Sequence, residues 1–495
     1  MRILIDTNIL IPIEPGSHGD LEANTPLGLE LVRLCNLGGH KILIHSLMMN
    51  DIQRDKNTIR ADLRRSLVER YHKLETVIPI PPEWNAVVGN PTEGENDWVD
   101  NHLLAAVHSD SVHILVTEDI RIRKKARRLA LNDRVWSLSK ILETLRVLSD
   151  QPIGLIPSLE QVKAFTLSDA DPIFRSLRAD YGVDGFNAWL AKAKRDGRDA
   201  LVIWPGLNER LIAGLAILKQ EDSVPGGRQG KTLKLCTFKV GENYGQNRYG
   251  ELLLKGVFDY CRKNRYEQVY FTAFEKQVEL LGFSESFGFK LAGVRTGLGE
   301  LIVYKDFIPS GNDNDGMDPW NFHVNYGPWA AKLSTATAFI IPIQPKYFEL
   351  LFPEAVAQQS LIAPKPCGNG IKKAYLCHAQ IKRISRGDSL YFYQSSGGKT
   401  SGILAIGIAE DVMRSNDPDA ITRFVGNRTV YTHAQIATLC GKEVLAIRFR
   451  RVFLLQGPVS LKMLVDSGVI RGAPQSIAQV PVLKTAEMSS LCNQQ

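Results

Sequence analysis

Residues 233–264 read LKLCTFKVGENYGQNRYGELLLKGVFDYCRKN. The segment reads as a strand, a glycine-containing turn and, from about Gly250, an amphipathic helix. Loop amides that open onto a helix N-terminus form an anion site suited to a pyrophosphate. A turn of this kind also serves simply to connect a strand to a helix.

Downstream come a strand, YEQVYFTAF (266–274), and then LLGFSESFGFKLAG (280–293). This order resembles the GNAT acetyltransferases, over residues 152–307, and implies a GNAT α/β domain that binds acetyl-CoA. By that resemblance the pantetheine pairs with the strand edge Thr237, Phe238, Lys239 and Val240. The pyrophosphate meets amides of Tyr244, Gly245, Gln246, Asn247, Arg248, Tyr249 and Gly250. Aligned on Gly250, the family's loop usually has Gln or Arg and then Gly where this chain has Gly245 and Arg248, which leaves Arg248 placed to contact phosphate itself. Many members carry a general-acid Tyr where this chain has Ser284, a poor proton donor to a leaving thiolate. The resemblance therefore leaves the acid unassigned.

Upstream, residues 1 to about 148 alternate short β-like runs (Arg2–Leu10, Lys41–Ile44, His113–Val116) with helical stretches, the rhythm of a parallel sheet. The pattern stops at LSDQPIGLIPS (148–158). Asp6 sits in the apolar run MRILIDTNIL, where a buried strand should carry no charge. An extended segment would put Asn8 on the same side. Further acids are Asp51, then Asp97 and Asp100 in ENDWVDNHLLAAV (95–107), and Glu118 and Asp119 in ILVTED (114–119). In parallel α/β sheets functional residues gather at the carboxyl ends of strands, where Asp6 and Asp119 fall. Carboxylates converging there repel one another unless cations neutralise them, and Mg²⁺ or Mn²⁺ prefers such oxygen ligands.

LIDTNIL, an acid about forty positions later, DNHLLAA and LVTED, in that order, resemble the PIN-domain ribonucleases. The resemblance implies a PIN-like parallel α/β nuclease domain over 1–148. Asp6, Asp51, Asp100 and Asp119 would be its catalytic, metal-binding acids, and Asn8 and Thr117 would orient them. Asp51 stands where Glu is more usual, and Asp100 is preferred to Asp97 by its distance from the Leu-Leu-Ala-Ala run. The same acids also suit strand ends and helix caps. IRIRKKARR (120–128) follows, and places Arg121, Arg123, Lys124 and Lys125 to meet a phosphate backbone unless the run is only a solvated face.

FIPSGNDNDGMDPW (307–320) reads as a linker or a long surface loop. Beyond it the chain is strand-rich. In IKRISRGDSLYFYQSSGGKTSGILAIGIAED (381–411) a Gly-Asp turn precedes an aromatic strand, and EVLAIRFRRVFLL (443–455) adds another. This resembles the PUA-like group in its ASCH and EVE branches, and implies a small β-barrel over 321–495 that holds RNA. Lys372, Lys373, Lys382 and Arg383 would meet phosphates, and aromatic residues would stack bases. Of Tyr391, Phe392 and Tyr393, one alternating set faces the core by default.

The chain has 495 residues, enough for two to four domains, and its 44% hydrophobic and 23% charged content is that of a soluble globular protein. No apolar run is long enough to span a membrane, no secretory signal is read, and seven scattered cysteines without CxxC spacing suit a reducing cytoplasm. The net charge of +7 is compatible with most partners. Together these features lead us to expect a cytoplasmic, multidomain α/β protein: a Mg²⁺- or Mn²⁺-dependent ribonuclease joined to an acetyl-CoA-binding domain and an RNA-binding domain. Such company suits a toxin or defence factor acting on RNA such as tRNA and held by an antitoxin or regulatory protein. The rival expectation is a non-cleaving RNA- or partner-binding regulator whose acetyltransferase domain senses acetyl-CoA or acetylates a protein.

Overall fold

The computed structural model describes residues 1–13, 24–48, 71–93, 95–148, 157–205, 211–241, 244, 247–309, 316–355, 365–395 and 401–493. They form a multidomain α/β protein with three separate sheets. The chain divides into two compact units. One comprises Met1–Gln151 with Asp417–Asn427 and Tyr431–Thr438, and the other comprises Pro152–Asn416, Arg428–Val430 and Leu439–Gln495.

The first unit holds β1 (Arg2–Ile5), β2 (Lys41–His45), β3 (His72–Leu74), β4 (Ile114–Val116) and β5 (Val135–Trp136). They are parallel throughout, in the order β3-β2-β1-β4-β5. Strands β2 and β4 lie within one residue of the runs expected from the sequence. The run Arg2–Leu10 does not continue as one strand. The Asp6 carbonyl accepts from the amides of Ile9 (2.9 Å) and Leu10 (3.0 Å), and its carboxylate from the amide of Thr7 (2.7 Å). Asp6 thus ends β1 and starts the helix Thr7–Ile13. The helix Pro418–Val425 belongs to this unit although it lies far along the chain. Its Asp419 stands 3.4 Å from the Met1 amino group and its Arg423 stands 3.6 Å from Asp110.

In the second unit β6 (Ser158–Lys163), β7 (Asp199–Trp204), β8 (Gly214–Ser223), β9 (Gln229–Val240), β10 (Gln268–Ala273), β11 (Lys290–Arg295) and β12 (Leu301–Asp306) make one sheet, in the order β11-β12-β10-β9-β8-β7-β6. Only β9 and β10 run parallel. That pair needs a crossover, supplied by the helix Tyr249–Lys263. Its Leu253, Val257 and Phe258 pack with Leu233, Val269 and Phe271 on one face. The helix Val183–Arg195 covers the other face through Phe186, Leu190 and Ala193, against Val202, Leu215 and Ile217.

The last sheet contains β13 (Ala338–Ile343), β14 (Lys372–Cys377), β15 (Ser389–Gln394), β16 (Gly402–Ser415), β17 (Val444–Ser460) and β18 (Ala478–Gln479), in the order β14-β17-β16-β15-β13-β18. A barrel was expected here. Among the described residues no pairing joins the end strands β14 and β18 to close one.

Candidate functional site

Because β1 and β4 are parallel neighbours, their carboxyl ends bring Asp6 beside Thr117 and Asp119. Thr117 Oγ1 and Asn8 Nδ2 each donate to Asp6 Oδ2 at 2.7 Å, and Thr117 Oγ1 accepts the amide of Asp119 at 2.9 Å. Asn8 therefore reaches Asp6 from the first turn of a helix rather than along a strand. Asp119 caps the helix Ile120–Arg128 through the Arg121 amide (2.6 Å) and pairs with its guanidinium (3.0 Å). Burial works to raise the Asp119 carboxyl, but these bonds and the charge of Arg121 hold it below its ordinary range.

Of the two candidate acids in the helix Asn96–His108, Asp100 is the one turned into this site, 8% exposed, while Asp97 is half exposed. Burial raises the Asp100 carboxyl to about 6; Lys125 opposes that rise, and the charges of Asp6 and Asp119 add to it. Asp100 Oδ2 is buried and accepts no hydrogen bond; the ammonium of Lys125 stands 3.6 Å away. This corrects the expectation for Lys125. The side chain is buried, donates to Asn101 Oδ1 at 3.0 Å and lies 3.3 Å from Asp97, so it serves the acids and offers nothing to a phosphate backbone. Lys124 is exposed, and Arg123 is half-buried against the Glu118 carbonyl (3.5 Å). Asp51 lies outside the described residues. Among those described, no three His, Cys, Asp or Glu side chains could hold one metal ion.

The second site lies where the middle sheet opens. Strand β9 pairs with β10 only over Thr232–Leu235. A register shift between the rungs Ile217–Thr237 and Leu218–Leu235 marks a bulge at Cys236. Past it Thr237, Phe238, Lys239 and Val240 keep their β8 partners and have none on the β10 side among the described residues, while β10 runs on through Thr272 and Ala273 beside β12. A gap thus separates two parallel strands, with one edge of β9's main-chain donors and acceptors lining it. At the end of β9 lies a cavity of about 140 Å³ lined by Asp171, Arg175, Lys239 and Tyr244 among others.

The connection then enters the helix Tyr249–Lys263; Gly245 and Gln246 lie outside the described residues. Arg248 takes a left-handed conformation (φ 55°), and its side chain is buried with the guanidinium engaged inside the protein. It donates to Glu251 Oε1 (2.7 Å) and to the Lys372 carbonyl (2.6 Å), and a Cβ on Gly370 would fall 2.2 Å from its Cζ. Glu251 Oε2 accepts the amides of Ile371 (2.9 Å) and Lys372 (3.0 Å), and Asn369 Nδ2 donates to the Asn247 carbonyl (3.0 Å). Burial would raise the Glu251 carboxyl; the charges of Arg248 and Lys372 bring it down to about 2 instead. Ser284 is buried and donates to the Leu281 carbonyl (2.9 Å), spending its hydroxyl inside its own helix.

Of the four basic residues expected to hold RNA in the last block, one is buried and one half-buried. Lys373 is fully buried, and its ammonium donates to the carbonyls of Cys367 (2.9 Å) and Gly368 (3.1 Å). Lys372 donates to Ser286 Oγ (2.7 Å) and lies 4.4 Å from the Phe287 ring centre. Burial lowers both amines to about 7. Lys382 and Arg383 are exposed. Tyr391, Phe392 and Tyr393 are all buried: the tyrosines face one core, while Phe392 packs against Phe352 and Phe449 on the other side, so none offers a face to a base. Sequence reasoning missed Lys125 as an internal counter-charge, Glu251 as a clamp and, on the middle sheet, Glu300. No spacing rule ties these to their distant partners.

No known protein family matches the chain by sequence, and no curated protein does. Among solved structures, the chain is similar to an ASCH protein from Zymomonas mobilis (15% identity, 31% of this chain and 94% of that one, TM-score 0.25). It is also similar to a GNAT family acetyltransferase from Elizabethkingia anophelis with acetyl-CoA bound (13%, 30% and 97%, TM-score 0.22). A third is the PaiA N-acetyltransferase from Thermoplasma acidophilum in complex with coenzyme A (11%, 31% and 100%, TM-score 0.23). At these identities and scores the functional reading rests on geometry alone. No helix among the described residues is long and apolar enough to cross a membrane.

Proposed function

We propose that the middle sheet binds acetyl-CoA and that the chain is an N-acetyltransferase. The observation that carries this reading is the opening between β9 and β10 beyond Cys236. An extended ligand with amide groups can pair with the free edge Thr237–Val240 as an added strand would. The gap fits that ligand: it presents main-chain donors and acceptors that no neighbouring strand takes up among the described residues. The first amides of the helix Tyr249–Lys263 have no partner within the helix and favour a pyrophosphate. Glu251, which would repel that anion, is turned aside and neutralised by Arg248. Bound there, acetyl-CoA supplies the thioester; the chain's own part is to hold it extended and exclude water. The test is a thermal shift with CoA. A ligand at 100 times its Kd stabilises the native state by about 2.7 kcal/mol. Gly250→Asp, whose new Cβ would meet only the Phe283 ring at 3.7 Å, sets a carboxylate at the anion site and should abolish the shift. Equal shifts in both proteins, or none in the wild type, would refute the site.

A second reading assigns phosphodiester cleavage of RNA, tRNA included, to a PIN-like first unit. The feature favouring it is Asp100 Oδ2, buried without a hydrogen bond beside Asp6 and Asp119. Their oxygens suit Mg²⁺ or Mn²⁺ chemically, although Lys125 already supplies a positive charge to the site. On this reading the PUA-like block recruits RNA through Lys382 and Arg383, in the cytoplasm, under an antitoxin or regulatory partner. RNA cleavage that appears with Mn²⁺ and disappears in Asp6→Asn supports it; cleavage persisting in Asp6→Asn/Asp119→Asn refutes it. The rival, a non-cleaving regulator, expects CoA binding and no cleavage at any Mn²⁺ concentration.

A further inference from the structure

Glu300 immediately precedes β12 and is 5% exposed, yet it pairs with no cation among the described residues. Three hydroxyls hold its carboxylate instead. Tyr181 donates to Oε1 at 2.7 Å, Thr272 to Oε1 at 3.1 Å and Thr296 to Oε2 at 3.1 Å. A buried carboxylate without a counter-charge is costly, and neutral donors offset only part of its lost hydration. Its place in the sheet bears on its use. Thr272 follows Phe271, the last residue of β10 to pair with β9, so the cluster stands where the two strands part. Tyr181 ends the helix Arg175–Tyr181, is itself 38% exposed, and packs beside Phe274 with ring centres 5.8 Å apart. The buried carboxylate therefore sits behind an aromatic pair whose Tyr181 is partly open to solvent.

We propose that Glu300, with Tyr181, Thr272 and Thr296, is the acceptor site, and that it takes the primary ammonium of an alkylamine. This rests on the acetyl-CoA reading above. The unpaired negative charge selects a cation, and the Tyr181 and Phe274 faces suit an apolar or aromatic body attached to it. Burial and the bond to Glu300 raise the Tyr181 phenol above its ordinary range, so it stays a donor and not a second anion. In the transfer the bound ammonium gives up one proton, the amine attacks the thioester, the C–N bond forms and the C–S bond breaks. The departing sulfur takes one proton, and the other leaves through Glu300 to solvent.

The test uses the full chain with two probes, 2-phenylethylamine and the side-chain amine of N-acetyl-lysine amide, and 2-phenylethanol as a neutral control. Three quantities are read: the thermal shift with CoA, amine affinity by calorimetry, and thiol release from acetyl-CoA. Glu300→Gln should leave the CoA shift unchanged, weaken amine binding at least 30-fold and lower kcat/KM for the amine at least 100-fold. The two amines report whether a small amine or a lysine side chain fits better. Tyr181→Phe, which keeps the ring and removes one donor, should weaken amine binding about tenfold, and it decides the matter if Glu300→Gln fails to fold. The proposal is overturned if a variant with a normal CoA shift acetylates the amine within threefold of wild type. It is equally overturned if wild type with a normal CoA shift binds phenylethanol as well as phenylethylamine. Failure of the wild-type CoA shift would instead strike the acetyl-CoA reading, and the separate readouts keep the two failures apart.

Discussion

Replacing Glu251 by Gln should destabilise the second unit by about 3 kcal/mol at neutral pH, in a manner that depends on pH. The carboxyl is held at about 2 against an ordinary 4.5. At about 1.4 kcal/mol per pKa unit that difference is worth about 3 kcal/mol. The side chain is only 14% exposed, so solvent screening removes little of it. The loss from breaking a buried ion pair, about 3–5 kcal/mol, agrees: Gln would leave the Arg248 guanidinium buried without its charge partner. Because the native value lies below the unfolded one, the stabilisation is complete above about pH 4.5 and lost as pH falls through 2. Near pH 3 less than half of that stabilisation should remain. The assay is urea denaturation at pH 7 and pH 3, followed by hydrogen exchange in peptides from 249–263 so that this unit is read alone. Arg248→Ala and the double variant complete a cycle with an expected coupling of about 1–3 kcal/mol. An equal difference at both pH values, or one below about 1 kcal/mol at pH 7, would refute the account of the clamp.

Asp100→Asn should stabilise the first unit at pH 7.5 and make little difference at pH 3. Burial pushes its native carboxyl up to about 6 from an ordinary 3.8, so stability is lost as pH rises from about 4 to 6 and the loss is complete above that; melting curves at the two pH values check this. Lys382→Ala/Arg383→Ala should weaken RNA binding and reduce the slope of log affinity against log salt by about 1.5 if both residues meet phosphates on single strands, read by a salt titration. Lys373→Ala should instead lower the melting temperature, since it empties a fully buried site and leaves the Cys367 and Gly368 carbonyls without their donor.

What could be read from residues was local. The parallel rhythm of the first block located β2 and β4 within a residue, because buried strands in parallel sheets are short apolar runs. The strand-end rule brought Asp6 and Asp119 into one site, because neighbouring parallel strands end on the same side. The helix at Thr7 was not legible, since Asp6's backbone carbonyl, which no pattern of side chains reports, takes the amides that a longer strand would have used. A lysine's identity does not tell solvent from protein, and so Lys373 reads as a phosphate contact although its strand buries it. Tyr181 and Glu300 lie 119 residues apart and meet only because a helix end and a strand start flank the same opening.

The segments Asp417–Asn427 and Tyr431–Thr438 complete a unit that otherwise ends at Gln151. A chain emerging from the ribosome therefore cannot finish its first unit when residue 151 has emerged. It must wait for roughly 290 further residues, and at about 5–20 residues per second that is roughly 15 to 60 seconds. During that interval the Met1 amino group and Asp110 lack Asp419 and Arg423, and the whole middle sheet has time to form first. Order of synthesis and order of completion are thus reversed, and a nascent chain halted before residue 417 would carry a finished middle sheet beside an unfinished beginning.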